Sequence, residues 1–391
     1  MKKVVKLIFF TLLICILAVG VLFGFLAYRI KDRDVFEGFP YPYVVLPVKD
    51  QIPNYVKQKE DIQILIVGDR AALTLAKYRE DLEKNLKMSY DLNLKTAEFA
   101  NEHDSLRRTL AKMKSLPSLP PIIIYHGGYS EESERRFHQK DLKKVNYNIE
   151  NFKIPELRQL IQSIPILSKF YYEQIDRIEI TNIIKLRDNE PHYPLIESDE
   201  RELNIKIFEA EFLEFAKFIE KSQSKLIVLN SPYNYYLPPT KNCPETQTEL
   251  TEKMENDIII LQEKGNDKEA LNKAKILIEA NPNRASAHYL LAKSALKLNL
   301  IKETHQSFLN ANLFDCGINK TQAFTNKIIS SIAPLHHVDI VDFAGDVAGS
   351  MARGTDAFYQ EALPQPTLYH EIIPYISHRV FQHLSTKKGK L

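Results

Sequence analysis

Apolar and polar positions change rhythm several times along the chain, and the changes mark out its elements. The first block is Leu7 to Ala27, 21 uncharged residues behind Lys2, Lys3 and Lys6. A helix rising about 1.5 Å per residue over that length spans about 30 Å, the thickness of a bilayer's hydrocarbon core. Positive residues ahead of such a span hold the N-terminus in the cytoplasm and send the rest of the chain across. A cleaved leader has a shorter apolar region ending in a small-x-small site. Residues 1–6 therefore read as a cytoplasmic basic N-terminus and 7–28 as an uncleaved transmembrane signal anchor. Residues 29–60 carry Pro40, Pro42, Pro47 and Pro53 without a sustained period and read as an extended tether.

From residue 61 onward, short continuous apolar runs alternate with amphipathic stretches. Runs at 62–67, 94–100, 121–125, 225–229 and 338–343 predict strands. Stretches at 71–88, 103–114, 130–143, 200–222, 320–333 and 369–384 predict helices. Strands that are apolar throughout need cover on both faces. The prediction is an α/β fold: a three-layer sandwich with a mainly parallel sheet of about five strands, its first part in 61–244, its last strand and C-terminal helix in 319–391. Ligands of such sheets sit beyond the carboxyl ends of the strands. Gly68-Asp69-Arg70, His126-Gly127-Gly128 and Asn230-Ser231-Pro232 all fall there.

Residues 245–318 break that rhythm with an all-helical pattern. Asn266 to Ala270 and Asn281-Pro282 have the turn, alanine and proline of a 34-residue helical unit, and His288, Leu291, Ala292, Ala295, Phe308 and Ala311 repeat its packing positions. The segment resembles two tetratricopeptide repeats, at about 251–284 and 285–318, with Thr304 in place of the usual alanine. Two such units pack on a main domain rather than stand alone.

Charge and cysteines refine this picture. Lys+Arg 52 against Asp+Glu 50 leaves a net charge of +2, so no global field points to nucleic acid. Cys15 lies in the anchor; Cys243 and Cys316 flank the helical insertion. An exported domain can oxidise such a pair, and an insertion that leaves and rejoins one sheet brings its ends together; two buried thiols are the alternative.

The order of blocks resembles the SGNH/GDSL hydrolase superfamily, especially membrane-anchored envelope members with an internal tetratricopeptide insertion. Gly68-Asp69 matches its first block. Tyr125 to Glu131 resembles the third, Ser231 to Asn234 with Pro238-Pro239 the loop before the insertion, and Asp356 to Thr367 the last. The resemblance covers 61–391 and implies a flavodoxin-like sheet with a hydrolytic site at its rim.

The departures from that family carry the functional reading. Its nucleophilic serine falls on Arg70, its histidine on Gln365, and the aspartate before that on Ala362; its oxyanion asparagine falls near Gly128 or Tyr129. A guanidinium stays protonated and cannot attack a carbonyl, and serine hydrolysis needs nucleophile, base and orienting acid together. No catalytic residue is assigned. The degenerate-site positions are Asp69, Arg70, His126, Gly127, Gly128, Gln365 and His370, the last weighed as a displaced base. Two readings of Arg70 stand: an anion site for an acidic glycan or lipid headgroup, or a cation paired with Asp69 or a glutamate.

Other candidates carry less. Glu131, Glu132 and Glu134 read as first-turn caps of the 130–143 helix. His336-His337 lacks a third ligand at metal spacing, so neither metal nor cofactor is expected. The amphipathic segment 154–175 reads as core, lid or bilayer contact, and Lys387-Lys388-Gly389-Lys390 as a solvated tail. The expectation is a single-pass inner-membrane protein with its bulk in the periplasm, without hydrolase activity, serving envelope binding or assembly. The alternatives are an esterase, deacetylase or acyltransferase with a rearranged site, and a scaffold whose partners dock on the insertion.

Overall fold

The computed structural model describes residues 2–30, 56, 61–131, 142–151, 198–240, 248–317, 322–352, 357–358 and 363–388. The apolar runs after residue 61 form five strands: β1 (Ile64–Gly68), β2 (Thr96–Ala100), β3 (Ile122–His126), β4 (Lys225–Leu229) and β5 (Asp339–Val341). The described helices are α1 (Lys2–Ile30), α2 (Arg70–Ala76), α3 (Arg79–Tyr90), α4 (Leu106–Lys114), α5 (Leu142–Asn151), α6 (Ser198–Lys221), α7 (Glu249–Glu263), α8 (Asp267–Ala280), α9 (Ala285–Lys297), α10 (Ile301–Leu313), α11 (Gln322–Ile332), α12 (Phe343–Ala352) and α13 (Pro366–Lys388). They belong to two units, one of Met1–Asp50 with His138–Asp176, the other of Gln51–Phe137 with Arg177–Leu391.

In the larger unit all strand pairs are parallel, in the order β2-β1-β3-β4-β5. Alternate side chains of the central strands serve opposite faces. Ile64, Ile66, Ile122, Ile124, Ile227 and Leu229 pack in one core with Leu75 of α2, Leu82 and Leu86 of α3, Val347 of α12 and Ile372 and Ile376 of α13. On the other face Tyr125 meets Phe215 of α6 at 5.5 Å between ring centroids, and α6 packs against α4 and α11. The α/β expectation is met, with helices on both faces of an all-parallel sheet.

Several details differ from the sequence reading. The helix expected over 71–88 is two helices, because i→i−3 bonds from Lys77 N to Thr74 O (3.2 Å) and Tyr78 N to Leu75 O (2.9 Å) tighten and end the first. Tyr78 then stacks on Tyr369, centroids 5.8 Å apart and planes within 2°. Of the helix expected over 130–143, residues 132–141 lie outside the described residues, as does the whole amphipathic segment 154–175.

Four helices, α7 to α10, form the insertion. Ile258, Ala270, Ala274, Leu277, Ala287, Leu291 and Ala295 make its core. Small alanines let the helices approach closely, and the half-buried Glu255 accepts two bonds from Arg284, at 2.7 Å (Nε) and 3.0 Å (Nη2), which tie α7 to the turn before α9.

In the smaller unit, α1 runs unbroken for 29 residues. Among the described residues no helix is long and apolar enough to cross a membrane.

Candidate functional site

In this sheet the order reverses between β1 and β3, and that switch point is where doubly wound folds bind ligands. The two strand ends meet closely there. Gly68 has φ +136°, and a Cβ on it would lie 2.1 Å from the His126 carbonyl oxygen. Only glycine fits. Asp69 follows as the N-cap of α2, its Oδ1 accepting the Ala71 amide at 2.9 Å.

The other carboxylate oxygen of Asp69 is engaged across the switch point. Oδ2 accepts the backbone N–H groups of Gly128 (3.1 Å), Tyr129 (2.7 Å) and Ser130 (3.2 Å). Gly128 makes the turn that converges them: its φ is +112°, and a Cβ there would meet Thr325 Oγ1 at 2.9 Å. Successive amides turned inward are an anion-binding concavity. Here the chain's own carboxylate fills it. Asp69 is fully buried, and burial pushes its carboxyl up to about 6 against the pull of these amides and of Arg70.

Arg70 opens α2 beside this knot. Its guanidinium lies over the Tyr129 ring, 5.7 Å from the centroid. Among the described residues Arg70 has no carboxylate partner in ion-pair range, since Asp69 is taken up by amides. Arg70 Nε is buried and without a hydrogen-bond partner among them.

His126 is fully buried at the end of β3. Nδ1 faces Leu229 O at 3.1 Å and Nε2 the Tyr369 hydroxyl at 3.3 Å. Phe343 and Tyr369 stand edge-on to the ring. Burial depresses its pKa to about 4, so the imidazole is neutral and structural. The Ser231 hydroxyl donates to Gly127 O at 2.5 Å. Its backbone is clamped by Asn326, whose Oδ1 accepts Ser231 N at 3.0 Å and whose Nδ2 donates to Ser231 O at 2.8 Å. At the next strand end Asn230 Nδ2 donates to Asp342 Oδ1 at 2.7 Å and Asn230 Oδ1 accepts the Ala344 amide at 2.8 Å.

The remaining candidates fall elsewhere. Gln365 is half-buried before α13, its backbone N–H donating to Ala357 O at 2.8 Å. His370 is exposed and its Nδ1 lies 3.3 Å from Asp81 Oδ2 of α3. Glu131 does cap a helix, but α4: its Oε1 accepts the Leu106 amide at 2.9 Å. Glu132, Glu134, Asp356 and Ala362 lie outside the described residues. His336 approaches Glu220 at 3.4 Å, and His337 ends the short turn before β5 with φ +51°. The sequence reading missed Asn326, Tyr369 and Asp342 as partners of the rim; nothing local in the chain marks the first two.

The ends of the insertion do lie together. Asp315 accepts the Thr240 amide at 3.0 Å and the Gly317 amide at 2.9 Å. Cys316 between them is disulfide-bonded, whereas Cys15 is free and exposed. The expected partner, Cys243, lies outside the described residues. Compared with known protein families, curated proteins and solved structures, the chain matches none.

Proposed function

We propose that this chain is a non-catalytic, SGNH-like envelope protein in which a flavodoxin-like domain serves as a platform for a tetratricopeptide-like insertion. One observation carries the reading: among the described residues, Asp69, the amides it meets, His126 and Ser231 are all spent on holding the fold. Three converging amides face Asp69 rather than an open oxyanion position. The buried imidazole lies between a carbonyl and a tyrosine hydroxyl, and the Ser231 hydroxyl is turned onto Gly127 O. A nucleophile needs a base within hydrogen-bond reach, and among the described residues no serine hydroxyl is hydrogen-bonded to a histidine.

The same proposal places the chain at the inner membrane with its bulk in the periplasm. Ten large apolar side chains between Phe9 and Leu22 are exposed all round α1, from 42% for Leu13 to 72% for Val21. A helix apolar on every side needs an apolar surrounding, and the lysines before it favour that orientation. Within this reading the insertion takes a protein partner, and Arg70, a cation without a carboxylate partner among the described residues, is the position for an acidic glycan or lipid headgroup. Unchanged affinity for such ligands in Arg70→Ala removes that last element.

The test is a fluorophosphonate probe and a panel of acyl esters applied to the full chain in detergent micelles. No serine is labelled and no ester is turned over above the rate in buffer. Labelling at Ser231 or Ser130 that competes with an ester substrate would replace the platform by a rearranged hydrolase.

A further inference from the structure

Two turns of the helical insertion form an internal comparison. Residues 262–267, joining α7 to α8, and 296–301, joining α9 to α10, stand 34 positions apart and carry the same backbone bonds. In the first, Lys264 N donates to Ile260 O at 3.1 Å, Gly265 N to Gln262 O at 3.1 Å and Asn266 N to Leu261 O at 2.9 Å. In the second, Leu298 N donates to Ser294 O at 3.1 Å, Asn299 N to Leu296 O at 3.1 Å and Leu300 N to Ala295 O at 2.9 Å. The matched residues Gly265 and Asn299 both take positive φ, +76° and +57°. One backbone geometry thus carries two different sets of side chains.

The difference is from polar to apolar. Where the first turn has Gln262, Lys264, Asn266 and Asp267, the second has Leu296, Leu298, Leu300 and Ile301. These four are 43%, 37%, 40% and 80% exposed. Leu296 and Ile301 also edge a cavity against Tyr236 and Met351, which accounts for their covered part and not for the open part. Polar residues suffice to make the turn, so the exposed apolar ones serve a contact.

Charge and residue type define that contact. Lys293, Lys297 and Lys302 flank the apolar four and are exposed, and residues 293–302 contain no Asp or Glu. The next residue, Glu303, is engaged by Lys275 of α8 at 2.7 Å. Lysine stems lie along apolar surface while their ammonium groups stay in water, and anionic lipid attracts them. Protein hot spots favour Trp, Tyr and Arg, and 293–302 has none of these. We propose that the α9–α10 turn dips into the surface of an anionic bilayer, with Leu298, Leu300 and Ile301 entering the acyl boundary and the three lysines at the phosphates. The inference rests neither on the rim nor on α1.

The chain has no tryptophan, so a single introduced one reports alone. Ile301→Trp and Asp267→Trp put it at matched positions of the two turns in the full chain, reconstituted in vesicles with brominated acyl chains. Phosphatidylglycerol and phosphatidylcholine vesicles are compared. Ile301→Trp should emit at shorter wavelength in phosphatidylglycerol and be quenched about twofold or more beyond its quenching in phosphatidylcholine. Asp267→Trp should stay solvent-like in both. Adding Lys293→Glu, Lys297→Glu and Lys302→Glu to the first variant should remove the difference between the lipids. High salt should reduce it without further substitution, which keeps the test standing if the charge variant fails to fold. Solvent-like emission of Ile301→Trp in both lipids overturns the proposal and returns the turn to a protein contact. Quenching equal in the two lipids, or equal to that of Asp267→Trp, overturns it as well.

Discussion

Tyr129 donates its amide N–H to the Asp69 carboxylate across 2.7 Å, joining the end of β1 to the loop after β3. In acyl-transfer sites such amides face the oxygen on which charge develops. Here they face a fixed carboxylate, so the strand-to-helix corner holds the fold together. Asp69→Ala would leave three inward-turned amides buried without an acceptor. The expected loss is about 3 kcal/mol of stability, read as a lower urea midpoint, with Asp69→Asn losing less because one oxygen remains. An unchanged midpoint in the alanine variant would separate this contact from the fold.

Asp69 and His126 also predict opposing pH dependences. Burial raises the Asp69 pKa from 3.8 to about 6, so between those values the folded chain keeps a proton that the unfolded chain has released. Its contribution to stability is full below the unfolded value and declines as pH rises through 6. His126 runs the other way: its pKa falls from 6.5 to about 4, so its contribution is present above 6.5 and is lost as pH falls toward 4. Each is worth on the order of 3 kcal/mol. The wild type should therefore be nearly flat from pH 4 to 6.5. His126→Phe should lose stability as pH rises across that range, and Asp69→Asn should lose it as pH falls. Parallel pH profiles in the two variants would contradict both assignments.

Much of the fold was legible because it rests on local pattern. The five strands lie within about two residues of the apolar runs, since a doubly covered strand must be apolar throughout. The insertion was legible from alanines such as Ala270, Ala292 and Ala295, which permit close helix packing. The rim was legible only in part. Asp69 and Gly128 stand at the expected positions, but their bond joins residues 59 apart, and no local signal carries such a pairing. His126 read as site chemistry because sequence shows an imidazole and not the Tyr369 hydroxyl that meets it from α13.

Gly68 tests how tightly the switch point is closed. A methyl group at Gly68 would sit 2.1 Å from a backbone carbonyl, with φ +136° disfavouring any side chain. Backbone cannot yield as a rotamer can, so Gly68→Ala should cost about 4 kcal/mol or more. Gly265 is the internal control: its φ is +76°, with open space around a Cβ, so alanine there should cost only about 1 kcal/mol. Thermal unfolding of both variants makes the comparison.

Cys316 lies where the insertion rejoins the sheet, beside the Asp315 bonds to Thr240 and Gly317. A covalent link at that neck restricts the unfolded chain. Cys316→Ser should lower stability by about 2–5 kcal/mol. The loss should be absent when wild type and variant are compared under reducing conditions. A loss that persists there would mean the serine disturbs packing rather than removing a bond.

Arg70→Ser puts a hydroxyl where the resemblance places the nucleophile, and it distinguishes a missing atom from a missing site. If the guanidinium alone blocked catalysis, the serine variant would recover ester hydrolysis. The rim argues against recovery. His126 is neutral and held between Leu229 O and the Tyr369 hydroxyl, His370 is paired with Asp81, and the converging amides are saturated by Asp69. Losing the base alone costs several orders of magnitude in such enzymes. The variant should therefore fold, since the guanidinium makes no ion pair among the described residues, and should hydrolyse p-nitrophenyl acetate no faster than wild type. A burst of p-nitrophenol with covalent acetate on residue 70 would show that a base reaches this corner and that the rim is one substitution from chemistry.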